Sequence, residues 1–145
     1  MFKIFATLKA LVFAAVMATS LQAQAADDVI KVVYHLSEGI PQASRAIGNI
    51  RNHLNADPTA KIVVVTHGLG IDFLINGATN QMDQPFAGGV ADLVNKGVEF
   101  RVCNNTLVSR KISPDKLLME AKVVPSGVSE VAKLQANEKF VYLRP

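Results

Sequence analysis

The chain has 145 residues, of which 50% are hydrophobic and 19% charged, a balance that allows one domain and excludes an intrinsically disordered chain. It carries one cysteine (Cys103), three histidines (His35, His53, His67) and no tryptophan. A disulfide framework and any multi-cysteine zinc or iron–sulfur site within a single chain are thereby excluded.

Residues 1–25 read as an export signal rather than as part of the fold. Met1 to Lys9 holds Lys3 and Lys9 and no acid, Ala10 to Ala18 is uninterrupted and apolar, and Ala23-Gln24-Ala25 fits the small-x-small rule of a signal peptidase site. The apolar run is about half of the roughly 20 residues that a membrane span needs. No cysteine follows it for lipidation. Cleavage after Ala25 would leave a domain of residues 26–145 with no membrane association. Taking Lys3 and Lys9 from the 15 basic side chains leaves 13 against 12 acidic ones, so the domain is close to neutral. Nothing in it forms a basic stripe with interleaved aromatics, which argues against a nucleic-acid partner. Export also implies a periplasmic location, where a lone thiol is buried, paired between chains, or chemically employed.

The rest of the chain alternates strand and helix. Val29 to Leu36, Lys61 to His67, Gly97 to Cys103, Lys122 to Val124 and Phe140 to Leu143 are the strand candidates, the first two rich in β-branched residues. Runs such as Ile62-Val63-Val64-Val65 suit strands covered on both faces. Pro41 to Leu54 places Ala43, Ala46, Ile47, Ile50 and Leu54 at helical spacing. A second helix spans about Pro85 to Lys96, with Phe86, Val90, Leu93 and Val94 inward and Gly97 as its stop. Ser113-Pro114 opens a short helical turn to Leu118. The last helix begins at Ser126 and is expected to bury Val128, Val131 and Ala132. Ile75 to Gln84 is the one long irregular stretch, a candidate mobile or interfacial loop. The pattern predicts a single three-layer α/β/α domain with a five-stranded parallel sheet.

In such sheets chemistry gathers at the carboxyl ends of the strands. His35, His67 and Cys103 all fall there, on three different strands. Their ordinary reading is two histidines bonded to loop backbone and a cysteine packed as a small hydrophobe. Arg101 faces the same way as Cys103 on one strand. Asn104, Asn105 and Thr106 follow and are placed to hydrogen-bond the sulfur or to open a helix towards it. Gly68-Leu69-Gly70 and Ser126-Gly127 are glycine-bearing turns after strands, but Phe73 stands where a third fingerprint glycine would be, so both read as ordinary helix starts. No nucleophile-elbow serine or carboxylate pair supports a hydrolase. No cofactor is called for.

The segments EFRVCNNTLVSRKI (99–112) and KVVPSGVSEVAKLQ (122–135), with KVVYHLSEG (31–39) and VVVTHGLGIDFL (63–74), resemble the DsrE/DsrF-like sulfur-relay family, in particular an exported branch of it. The resemblance runs from Val29 to Pro145 and is most specific around Cys103. It implies a five-stranded parallel α/β domain, assembly into homo- or hetero-oligomers, commonly trimers or hexamers, and a persulfide carried on Cys103. Classical members are cytoplasmic, so their pathways do not transfer to an exported chain.

Three functions follow as expectations. In the first, Cys103 takes sulfur from a sulfane-sulfur donor and passes it to an acceptor thiol or protein; Arg101 and Asn104 set the polarity, and His35 or His67 orients the donor or moves a proton. The second is a non-enzymatic oligomeric binding module with a buried, inert Cys103. In the third, His35, His67 and Cys103 hold copper or zinc.

Overall fold

The computed structural model describes residues 29–145, and the export signal read over residues 1–25 lies outside the described residues. The five strands are β1 (Lys31–Leu36), β2 (Lys61–Thr66), β3 (Glu99–Cys103), β4 (Ala121–Val124) and β5 (Val141–Leu143). The helices are α1 (Ile40–Ala56), α2 (Phe86–Asn95), α3 (Asn104–Ser109) and α4 (Gly127–Glu138), with 3₁₀ turns at Gly68–Leu74 and Pro114–Lys116. All neighbouring strands pair in parallel, in the order β4-β3-β2-β1-β5. The expected five-stranded parallel α/β domain is the observed one.

That order fixes where the helices go. Parallel crossovers share one hand. Successive steps from β1 to β4 move one way across the sheet, so α1, α2 and α3 fall on one face. The return from β4 to β5 runs the other way, which puts α4 on the opposite face. The core divides accordingly. Alternate residues Val32, Tyr34, Leu36, Ile62, Val64, Phe100 and Val102 pack with α1, α2 and Leu107 of α3. Val33, Val63 and Val65 pack with Val131, Leu134 and Phe140 alone. Ile62 to Val65 are fully enclosed, as their β-branched run predicts. The stripe Ala43, Ala46, Ile47, Ile50 and Leu54 is buried along α1 as well.

The layer carrying α4 is thin, and here one expectation fails. Val131 is buried, but Val128 is 62% exposed and Ala132 is exposed too. A single helix crossing a sheet face buries a narrow stripe, formed here by Gly127, Val131 and Leu134. Val128 and Ala132 lie about 100° round from that line. The stretch from Ile75 to Gln84 also differs from a loose loop. Ile75 bridges Leu117, Thr79 bridges Pro85, and the Asn80 side chain accepts from the N–H groups of Met82 and Gln84 at 2.9 and 3.0 Å.

Candidate functional site

β3 and β4 are neighbours whose following helices leave to opposite faces, α3 to one side and α4 to the other. Such a divergence opens a crevice at the carboxyl edge of the sheet. Cys103 is the last residue of β3 and the N-cap of α3, and it therefore stands where the two connections diverge. Gly127, the first residue of α4, closes against it: a Cβ placed there would lie 3.1 Å from Cys103 Cβ, 3.2 Å from His67 Cβ and 3.2 Å from the Thr66 carbonyl oxygen. Only glycine lets the start of α4 come so close. Ser126 caps the helix, its hydroxyl accepting from the Ser129 N–H at 3.4 Å.

The electrostatics of Cys103 follow from this seat. The residue is 5% exposed, and burial by itself opposes ionisation of the thiol. Against burial stand the backbone N–H groups of Gly127, Thr106 and Asn105 and the Thr106 hydroxyl, which together pull the thiol below its ordinary range. Two helix starts thus supply partial positive charge to one sulfur. Thr106 is held in turn, because its hydroxyl accepts the Gly68 N–H at 3.0 Å. Arg110 of the segment after α3 donates to the Gly68 carbonyl at 2.9 Å and to Asp72 at 2.6 Å, which ties the Gly68–Leu74 turn to α3.

That turn accounts for its own glycines. Gly68 has φ +57°, a left-handed conformation, and a Cβ on Gly70 would sit 2.2 Å from the Leu36 carbonyl oxygen. Both are packing requirements of the close approach to β1, in agreement with the ordinary-helix-start reading.

His35 and His67 come together as their strands do, since β1 and β2 are adjacent. His67 follows β2 rather than ending it. The two Nε2 atoms are 2.7 Å apart, and His35 Nδ1 lies 2.8 Å from the Tyr142 hydroxyl. Burial holds both imidazoles below their ordinary protonation range; the neighbouring His67 and Arg144 add to this for His35, and Arg144 for His67. Arg144 itself pairs with Glu38.

The remaining sequence candidates are placed differently. Arg101 faces the same side as Cys103, but its guanidinium is taken up by Glu130 at 2.5 Å and Glu99 at 2.9 Å. Asn104 begins α3, while the donors that reach the sulfur come from Asn105, Thr106 and Gly127. The metal arrangement at His35, His67 and Cys103 is not formed: among the described residues no group of three or more His, Cys, Asp or Glu side chains is placed to hold a metal ion. The two imidazoles face each other through their Nε2 atoms. Tyr142 and Arg144 were not legible as site residues, because they sit in a short C-terminal strand and tail with no motif of their own. Only the position of β5 beside β1 brings them in.

Comparison with known proteins bears on the family and the fold. The DsrE/DsrF-like family model matches residues 13–142, and the chain belongs to that family. It is similar in structure to a protein of unknown function, MTH1491 from Methanobacterium thermoautotrophicum, with 31% identity and a TM-score of 0.70 over 80% of this chain and 99% of that one. The ychN protein of E. coli has the same fold at 12% identity, with a TM-score of 0.65 over 81% of this chain and all of that one. No curated protein sequence matches the chain.

Proposed function

We propose that the protein is an exported, periplasmic member of the family that carries sulfane sulfur as a persulfide on Cys103. Membership supports a role related to sulfur relay. The observation that carries the reading is the sulfur's position between two helix starts, with Gly127, Thr106 and Asn105 favouring the thiolate against burial. In acceptance, the Cys103 thiolate attacks the outer sulfur of a donor R–S–SH. The donor S–S bond breaks, R–S⁻ departs, and a new S–S bond stands on Cys103. In delivery, an acceptor thiolate attacks that outer sulfur and Cys103 leaves as thiolate. No electrons are gained or lost overall. A homo-oligomer, trimer or hexamer, is the assembly the family resemblance implies. His35 and His67 are the groups that orient the donor or move the proton.

Intact-mass spectrometry after brief exposure to thiosulfate or polysulfide tests this directly. The expected result is a gain of about 32 Da, one sulfur, removed by dithiothreitol and absent from Cys103→Ser. A thiol that stays free and gains no mass would overturn it.

A second reading, a non-enzymatic oligomeric binding module, is favoured by one observation, the 5% exposure of Cys103. It requires that Cys103→Ser leave assembly and ligand binding intact and that the native thiol alkylate no faster than free cysteine.

A further inference from the structure

From His67, whose Cβ lies across Gly127 from that of Cys103, a chain of hydrogen bonds runs to the surface through a side chain that sulfur transfer has not yet used. Tyr142 is 38% exposed, its hydroxyl meets His35 Nδ1 at 2.8 Å, and His35 Nε2 meets His67 Nε2 at 2.7 Å. From the geometry of this chain we infer that Tyr142, acting through His35 and His67, is the solvent end of a proton path to Cys103. This rests on the carrier reading, and it makes Tyr142 and His35 positioning residues for the transfer.

Two nitrogens 2.7 Å apart hold one proton between them, because two N–H groups would collide and two bare nitrogens would repel. Two arrangements satisfy every atom. In one, the Tyr142 O–H donates to His35 Nδ1, the His35 Nε2–H donates to His67 Nε2, and His67 carries its proton at Nδ1. In the other each bond is reversed, His35 Nδ1–H donates to the Tyr142 oxygen, and His67 Nδ1 is bare. His67 Nδ1 makes no hydrogen bond to protein among the described residues. It is also the ring nitrogen nearer Cβ, and His67 Cβ and Cys103 Cβ flank the same point on Gly127. The chain therefore ends on a residue whose Cβ lies across Gly127 from that of Cys103.

A thiol proton accepted at His67 Nδ1 sends the Nε2 proton to His35, the His35 Nδ1 proton to the Tyr142 oxygen, and the tyrosine's own proton to water. Each imidazole gains a proton at one nitrogen and loses one from the other, and the tyrosine oxygen gains one and loses one. Run in reverse, the same steps protonate the departing R–S⁻. No imidazolium forms at either stage, which suits the surroundings. Both rings are partly buried, and the charged group acting on them from the segment after β5 is Arg144, a cation already paired with Glu38 of the β1–α1 loop. Arg101 and Glu130, between β3 and α4, bind each other.

The test is Tyr142→Phe, which keeps the ring and removes the hydroxyl. In dilute buffer its rate of sulfur gain at Cys103 should fall about tenfold, less than the roughly hundredfold or more of a group that exchanges the proton directly, because Tyr142 acts through two rings. Added imidazole should restore that rate while leaving the wild type unchanged. An unchanged rate, or a loss that imidazole does not restore, overturns the path. A second readout is independent of sulfur. Nuclear magnetic resonance should show coupling between His35 Nε2 and His67 Nε2 through the shared proton, and alkylation of Cys103 should change the balance of His67 tautomers. The absence of either signal overturns the path even if the carrier reading holds. Both signals present in a wild type that gains no sulfur would sink the carrier reading and leave the path standing.

Discussion

Gly127→Ala isolates the close approach on which the site depends. The new Cβ would meet Cys103 Cβ at 3.1 Å, and His67 Cβ and the Thr66 carbonyl oxygen at 3.2 Å each. None of these is the free end of a flexible side chain, so the start of α4 must retreat by a few tenths of an ångström. Overpacking of this kind costs about 1–3 kcal/mol. The better helix propensity of alanine offsets at most about 1 kcal/mol, and less in a first turn. A net loss of about 1–2 kcal/mol in urea unfolding is expected. The retreat also draws the Gly127 N–H away from the sulfur. A hydrogen bond to a charged group is worth about 1.5–3 kcal/mol, so weakening it by a third to a half raises the thiol midpoint by roughly 0.5–1 unit. The midpoint is read from the pH dependence of alkylation by iodoacetamide. A variant as stable as the wild type, with an unmoved midpoint, would refute the claim that α4 is packed onto the thiol and tunes it.

Three further outcomes are expected. Val64→Ala, at a fully enclosed position of the central strand, should cost about 2–4 kcal/mol in denaturant unfolding; a loss below about 0.5 kcal/mol would contradict a sheet covered on both faces. His35 and His67 have folded pKa values held below their ordinary 6.5, so the unfolded chain binds more protons in the window below that value. Stability is therefore present above about pH 6.5 and falls as the solution is acidified from there, and a His35→Gln, His67→Gln double variant should lose less over the same interval. Arg101→Met should leave the thiol's alkylation midpoint unchanged, since the guanidinium is occupied by Glu99 and Glu130; a midpoint that rises would restore Arg101 as a polarity-setting neighbour of Cys103.

Where a short local pattern decides the outcome, the sequence was readable. The run Ile62 to Val65 demands a doubly covered strand, and the helical spacing from Ala43 to Leu54 names a buried face on its own. Adjacent strands then carried His35, His67 and Cys103 to one edge, as the alternation of strand and helix implied. What could not be read depends on the return of the chain. Val128 and Ala132 look as apolar as Val131, and only the passage of a single helix over one sheet face decides which of them is covered. Arg101 shares a facing with Cys103 in sequence, yet Glu130, 29 residues on, competes for its guanidinium. Tyr142 is 107 residues from His35, and nothing local distinguishes it from any aromatic in a short strand.

The same long-range closure gives Cys103 a particular chemical bias. Donors that stabilise a thiolate make it a weaker nucleophile but a better leaving group. A cysteine of this kind releases an outer sulfur readily, because the bond to be broken ends on a sulfur whose charge Gly127, Thr106 and Asn105 already accommodate. In the proposed carrier role acceptance is the harder half, since the stabilised and largely enclosed thiolate must attack a donor brought to it and the departing thiolate must be given a proton. On the proton path inferred above, the histidine pair would provide that proton without charging either ring. Loss of Gly127 packing should therefore slow the hand-off to an acceptor more than the uptake of sulfur, whereas loss of the histidine pair should slow uptake first. Measuring the two half-reactions separately, loading from polysulfide and unloading to a thiol, distinguishes these assignments. Equal effects of Gly127→Ala on both halves would mean that the helix starts hold the thiol in place without biasing its chemistry.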